Sequence, residues 1–155
     1  MLNLRRSVVG AALVLLVSGV ASAQTPSPTD IAELRVKANA GNADAQYNLG
    51  VWYRFGQGVP QDSAQGAAWI RKSAEQGHIG AQFNLGLMYS LGQGVPTDYV
   101  EAHQWLNLAA SRASVEEVTQ YTGYRDGVAA MMTPQQVADA QQRATDWLAA
   151  FEQLN

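Results

Sequence analysis

The stretch AQYNLGVWYRFGQGVPQD, which begins at Ala45, returns 36 residues later as AQFNLGLMYSLGQGVPTD from Ala81. A fixed period of this length marks supersecondary units that stack on one another, because one such unit cannot bury its own apolar face. Stacked arrays present an extended surface and do not assemble a single catalytic pocket. The expected fold class is all-α: an α/α solenoid of antiparallel helix pairs.

The spacing within each copy explains the packing. Ala45, Leu49 and Tyr53 fall at i, i+4 and i+8 and stack on one helical face. Gly50, beside Leu49, lets a neighbouring helix approach where a Cβ would hold it off, and Trp69 and Ala74 supply the facing surface. Ala81, Leu85, Gly86, Tyr89, Trp105 and Ala110 repeat the set. Between the helices of each pair, Gly56-Gln57-Gly58-Val59-Pro60 and Gly92-Gln93-Gly94-Val95-Pro96 cannot be helix interior. Asp62 caps a helix to about Gln76, and Asp98 with Glu101 forms a capping box for a helix to Ala110. An earlier helix is expected from Asp30, capped with Glu33, to Asn39; its Ala38 lies 36 residues before Ala74. The array thus has a leading half-repeat and two full repeats, at about 43–78 and 79–113.

The motif then fails. One period beyond Leu85, Gly86 and Tyr89 stand Tyr121, Thr122 and Arg125. Helical punctuation nevertheless continues, with Ser114 and Glu117 as a capping box and Thr133-Pro134-Gln135-Gln136 as another start. Val137, Ala140, Ala144, Trp147, Leu148 and Phe151 form an apolar stripe at helical spacing. Residues 114–152 are therefore expected to be a degenerate third unit and a C-terminal capping helix, closing a solenoid that spans 30–152.

L-G-x-x-Y, then G-x-G-V-x-x-D, then W-x-x-x-x-A resembles the Sel-one-like repeat, a relative of the tetratricopeptide repeat. The resemblance implies an α/α solenoid whose members mostly act in protein–protein interaction, often at bacterial envelopes. Members stapled by a disulfide in each repeat form a different subgroup, since this sequence has no cysteine.

At the N-terminus, Arg5 and Arg6 precede an apolar stretch from Val8 to Val20, followed by Ala21-Ser22-Ala23. A basic region, a short apolar region and small residues at −3 and −1 describe a signal peptide, 1–23, cleaved after Ala23. The stretch is short for a membrane span and is diluted by Gly10, Ser18 and Gly19, so no stable membrane anchor is expected after cleavage. The arginine pair leaves Sec and twin-arginine export both open. A periplasmic or secreted destination follows, with 24–29 as a disordered lead-in. The processed protein would carry eight Lys or Arg against thirteen carboxylates, a net charge of −5 without a basic cluster, which speaks against nucleic acid as a partner.

The residues offer no catalytic constellation. Neither GQG loop is followed by Lys-Ser or Lys-Thr or opens from a strand, so both read as turns with glycine at positive φ. His78 and His103 occupy different repeat positions and are expected to be solvated, not metal ligands. No cofactor or metal is expected.

Individuality lies where the two copies differ: Trp52 against Met88, Arg54 against Ser90, Phe55 against Leu91. By analogy with tetratricopeptide arrays the first helix of each pair lines the concave face. That places Tyr47, Asn48, Val51, Arg54 and Phe55 there, continued by Phe83, Asn84, Leu87, Ser90 and Leu91. Asn48 and Asn84 could hold the backbone of an extended peptide, or could, with Tyr47 and Phe83, only buttress the stack. Arg54 could take a carboxylate, and the aromatics could anchor a partner. The function expected is an exported adaptor or regulator that binds a protein or peptide. The alternatives are a structural subunit of an envelope complex and, last, a cell-wall or peptide hydrolase.

Overall fold

The computed structural model of the protein describes residues 26–154. The expected signal peptide and the start of the lead-in lie outside them. Among the described residues there are seven helices and no strand: α1 (Pro28–Asn39), α2 (Ala43–Phe55), α3 (Ser63–Glu75), α4 (Ile79–Leu91), α5 (Tyr99–Arg112), α6 (Val115–Ala129) and α7 (Pro134–Leu154). Each helix from α1 to α5 packs on the next, and α4 also meets α6 while α5 meets α7. The result is a helical solenoid with two rows, α2–α4–α6 and α1–α3–α5–α7.

The 36-residue schedule outlasts the motif. The N-caps of the first row are Asn42, His78 and Ser114, one period apart. Asn42 Oδ1 accepts from Ala45 N at 2.8 Å, and His78 Nδ1 accepts from Ala81 N at 3.0 Å. At Ser114 the backbone N and Oγ both donate to Glu117 Oε2. α2 and α4 end on glycines in the left-handed conformation, Gly56 at φ 69° and Gly92 at φ 66°. This is the turn geometry expected of the GQG loops.

Glycine sets how closely a pair can pack. A Cβ on Gly50 would lie 2.6 Å from Ile70 Cγ1 and 2.9 Å from the Gly66 carbonyl; on Gly86 it would lie 2.7 Å from Leu106 Cγ and 3.0 Å from the Ala102 carbonyl. Position 122, one period on, is threonine, so α6 cannot accept a partner helix at that separation. α7 accordingly packs on α5 and not on α6. It runs parallel to α5, with Arg143 3.4 Å from Glu101, Trp147 centred 6.0 Å from Trp105, and Phe151 5.3 Å from the Arg112 guanidinium. The stripe expected on α7 faces inward, with Ala140 and Ala144 buried and Trp147 and Leu148 packed on the main core.

The joints between repeats share a polar clamp. Arg35 donates to the Tyr53 hydroxyl at 2.9 Å, and Arg71 donates to that of Tyr89. At the third joint the roles are exchanged: Arg125 stands where the tyrosine was and donates to Asn107 at 3.3 Å. A second polar pattern does not carry over. Gln46 donates to the Ala38 carbonyl and accepts from Gln76. Gln82 likewise donates to the Ala74 carbonyl, but its Oε1 has no protein partner. The residue one period after Gln76 is Arg112, which turns instead to the Gly77 carbonyl at 2.9 Å and stacks on Phe151.

Several expectations are corrected. α1 is capped by Ser27, not Asp30; Asp30 is the reciprocal residue, accepting from Ser27 N at 2.8 Å while its own N donates to Ser27 Oγ at 3.2 Å. Pro28, suited to a first helical position, lets the helix begin there, so the expected disorder does not extend through Pro28 and Thr29. Glu101 does not close a capping box with Asp98, because its carboxylate is taken by Trp105 Nε1 at 3.2 Å and by Arg143. His103 is not solvated: it is 2 % exposed.

His103 gives the fold a pH dependence. Burial holds its pKa below the ordinary value, the positive charge of Arg125 adds to this, and Asp126 opposes it. The folded protein thus favours the neutral ring. Above about pH 6.5 the unfolded protein is neutral at this position as well, so nothing is lost. As the pH falls below that, the unfolded state takes up a proton that the folded state resists, and stability declines until the folded ring also titrates. Urea unfolding between about pH 7.5 and pH 5 is expected to show this decline, and His103→Leu is expected to flatten it.

Candidate functional site

The ten residues placed on the first-helix face divide into a rigid floor and an exposed rim. Tyr47 is half-buried, with its ring stacked on His78 at 4.6 Å. Its hydroxyl accepts from Asn84 Nδ2 at 3.1 Å, and Asn84 also donates to the Gly80 carbonyl at 3.0 Å. The remaining amide oxygen of Asn84 accepts from Arg54 Nη1 at 2.9 Å, and Arg54 Nη2 donates to Gln93 Oε1 at 2.6 Å. Arg54 therefore spans from α2 to α4 and to the second GQG loop. Burial lowers its pKa from the ordinary value, and Tyr47 opposes the shift.

Phe83 occupies Tyr47's position in the second repeat. It stacks on Tyr121 at 4.1 Å and meets the edge of Tyr124 at 5.4 Å. Val51 and Leu87 are half-buried, and Leu87 packs on the main core. Ser90 turns back to the Leu87 carbonyl at 2.8 Å, so the second repeat has no counterpart to the Arg54 bridge. Asn48 is exposed, whereas Asn84 already holds three partners, with both of its amide hydrogens used. The two asparagines are not an equivalent pair for gripping a peptide backbone.

What the face offers to solvent is Asn48, Phe55 and Leu91. Phe55 is 58 % exposed and Leu91 61 %, at the same position in successive repeats. The Arg54 guanidinium lies 4.9 Å from the centre of the Phe55 ring. The face continues onto α6, where a shallow depression of about 320 Å³ is lined by Thr119, Gln120, Gly123 and Tyr124. Thr119, Gln120, Gly123 and Tyr124 lie one period beyond Phe83, Asn84, Leu87 and Met88, a continuation that the lost motif conceals and the ladder of N-caps reveals. The capping role of His78 was equally hidden; its position one period after Asn42 was the available signal. His78 Nε2 lies 3.4 Å from Asp44.

Among the described residues, no group of three or more His, Cys, Asp or Glu side chains is placed to hold a metal ion. No described helix is long and apolar enough to cross a membrane.

The sequence profile of the Sel1 repeat matches residues 43–78 and 79–114. This protein carries two Sel1 repeats. Solved structures agree. A protective antigen present in uropathogenic Escherichia coli strains, displaying an SLR fold, superimposes with a TM-score of 0.72 at 32 % identity, over 79 % of this protein and 26 % of that one. A Sel1 repeat protein from Oxalobacter formigenes superimposes with a TM-score of 0.57 at 40 % identity, over 61 % of this protein and 27 % of that one. The sequence thus spans about a quarter of each of these relatives. No curated protein matches the sequence. Sel1 repeats generally serve as protein–protein interaction modules.

Proposed function

We propose that this Sel1-repeat protein is a non-enzymatic adaptor or regulator of the bacterial envelope, which binds a protein or peptide on a concave face built from α2, α4 and α6. The observation that carries this reading is the pair Phe55 and Leu91, large apolar side chains left in solvent one repeat apart beside a rigid polar floor. Large apolar side chains exposed at the same position of successive repeats support an interaction surface there. Their neighbours are already ordered, so docking immobilises few side chains. The location rests on the signal-peptide pattern of residues 1–23, and N-terminal sequencing of the exported protein should find Gln24 first.

A second reading, a structural subunit that contacts its complex through the outer row, draws on a small cleft lined by Glu75, Trp147, Ala150, Phe151 and Leu154, where Leu154 is 84 % exposed. Photocrosslinkers placed at Asn48 and Gln120 on one face, and at Ala150 on the other, separate the two in native envelopes. Partner adducts are expected from the first pair alone. Adducts from Ala150 alone would transfer the interface to α7.

A further inference from the structure

Arg54 is the only Lys or Arg on α2 and α4. Among the described residues no carboxylate lies within ion-pair distance of it. Its two acceptors, Asn84 and Gln93, are neutral amides. They orient the guanidinium but leave its charge uncompensated in a half-buried setting. They also leave N–H groups unused, since a guanidinium carries about five and these bonds take two. Asn84 is itself pinned by Tyr47 and Gly80, so the guanidinium is held before any ligand arrives. A planar cation with free N–H groups matches a carboxylate, which accepts two parallel bonds of the charge-assisted kind. The surroundings add a further requirement, because Phe55 lies against the guanidinium and Leu91 repeats its position on α4.

We propose that Arg54, oriented by Asn84 and Gln93, receives a carboxylate of a partner's peptide segment, while Phe55 and Leu91 take the bulky apolar residue beside that carboxylate. The inference rests on reading the α2–α4–α6 face as the binding surface, and it names the chemistry of what binds there. The carboxylate can come from the partner's C-terminus or from an Asp or Glu side chain.

Three peptides distinguish these sources: acetyl-Ala-Ala-Phe with a free C-terminus, the same peptide as its C-terminal amide, and acetyl-Glu-Phe-amide. Binding to the purified protein is followed through the Arg54 Nε–H resonance. One or both carboxylate peptides are expected to shift it saturably, the stronger one naming the source, while the C-terminal amide of the first does not. Arg54→Gln is expected to weaken binding by at least about tenfold, the value of a lost charge-assisted bond. Arg54→Lys, which keeps the charge but not the fork, is expected to restore only part of it, with amide dispersion confirming that both variants are folded. The carboxylate proposal is overturned if the amide peptide binds as well as its acid, if Arg54→Gln binds as well as wild type, or if neither carboxylate peptide shifts the resonance at millimolar concentration. Adducts from Asn48 and Gln120 alongside any of those results would leave the binding face standing and remove only the carboxylate.

Discussion

Gly86→Ala is expected to destabilise the fold by roughly 2–3 kcal/mol, although alanine is the better helix former, because overpacking at a fixed backbone outweighs propensity. The added Cβ would meet Leu106 Cγ at 2.7 Å and the Ala102 carbonyl at 3.0 Å. Leu106 is fully buried and its Cγ sits next to its own backbone, and the carbonyl belongs to α5, so both give way only if the helix pair opens. Gly50→Ala, facing Ile70 and the Gly66 carbonyl, is expected to behave alike. Gly123 provides the control: it is helical too, yet a Cβ there meets nothing within 4 Å. Gly123→Ala is expected to stabilise by up to about 1 kcal/mol, the helix-propensity difference alone. Urea denaturation of the three variants checks the sign in each case. Equal effects at Gly86 and Gly123 would mean that close approach of α4 and α5 does not hold the pair together.

Trp105→Ala is expected to cost about 3–5 kcal/mol and to loosen α7 before the rest of the solenoid. Trp105 is 4 % exposed, donates to Glu101 and meets the edge of Trp147. Glu101 in turn holds Arg143. Trp105 and the Glu101 it bonds thus tie α5 to Trp147 and Arg143 of α7, which packs on α5 and gains little from α6. Hydrogen exchange is expected to show protection lost along α7 while α2, α3 and α4 keep theirs. Uniform loss across all seven helices would show that α7 is integral to a single cooperative unit. Trp69 holds the corresponding place in the first repeat and is only partly buried, packed on the cluster of Ala38, Ala45 and Leu49 with Lys72 Nζ 4.2 Å from its ring centre.

Most of the solenoid is legible in the amino-acid sequence because each repeat states its own packing. Gly50 and Gly86, the GQG loops and the capping aspartates Asp62 and Asp98 each have a local physical reason, and the structure uses every one of them as expected. The third unit is harder to read, for the same reason in reverse. Thr122 removes the glycine that admits a partner helix, and nothing in the sequence of α7 says that it will settle on α5 instead. The exchange of Tyr for Arg at position 125 looks like decay until Asn107 is placed opposite it. The candidate site is legible in outline only. Phe55 and Leu91 emerge because they differ between copies at an exposed position, whereas the commitment of Asn84 and Arg54 to one another depends on side chains 30 residues apart. His103 escapes a sequence reading because the charged groups that face it, Arg125 and Asp126, come from α6, whose sequence no longer follows the repeat.

A partner seated across Arg54 and the Phe55–Leu91 rim would bind wild type and the Phe55→Ala/Leu91→Ala double variant with different affinity, measured on the captured partner. Both side chains are exposed, so the variant is expected to melt with wild type. Losing two apolar anchors is expected to weaken the complex by roughly thirtyfold or more. An unchanged dissociation constant in a folded double variant would rule out this rim and place the interface elsewhere on the solenoid.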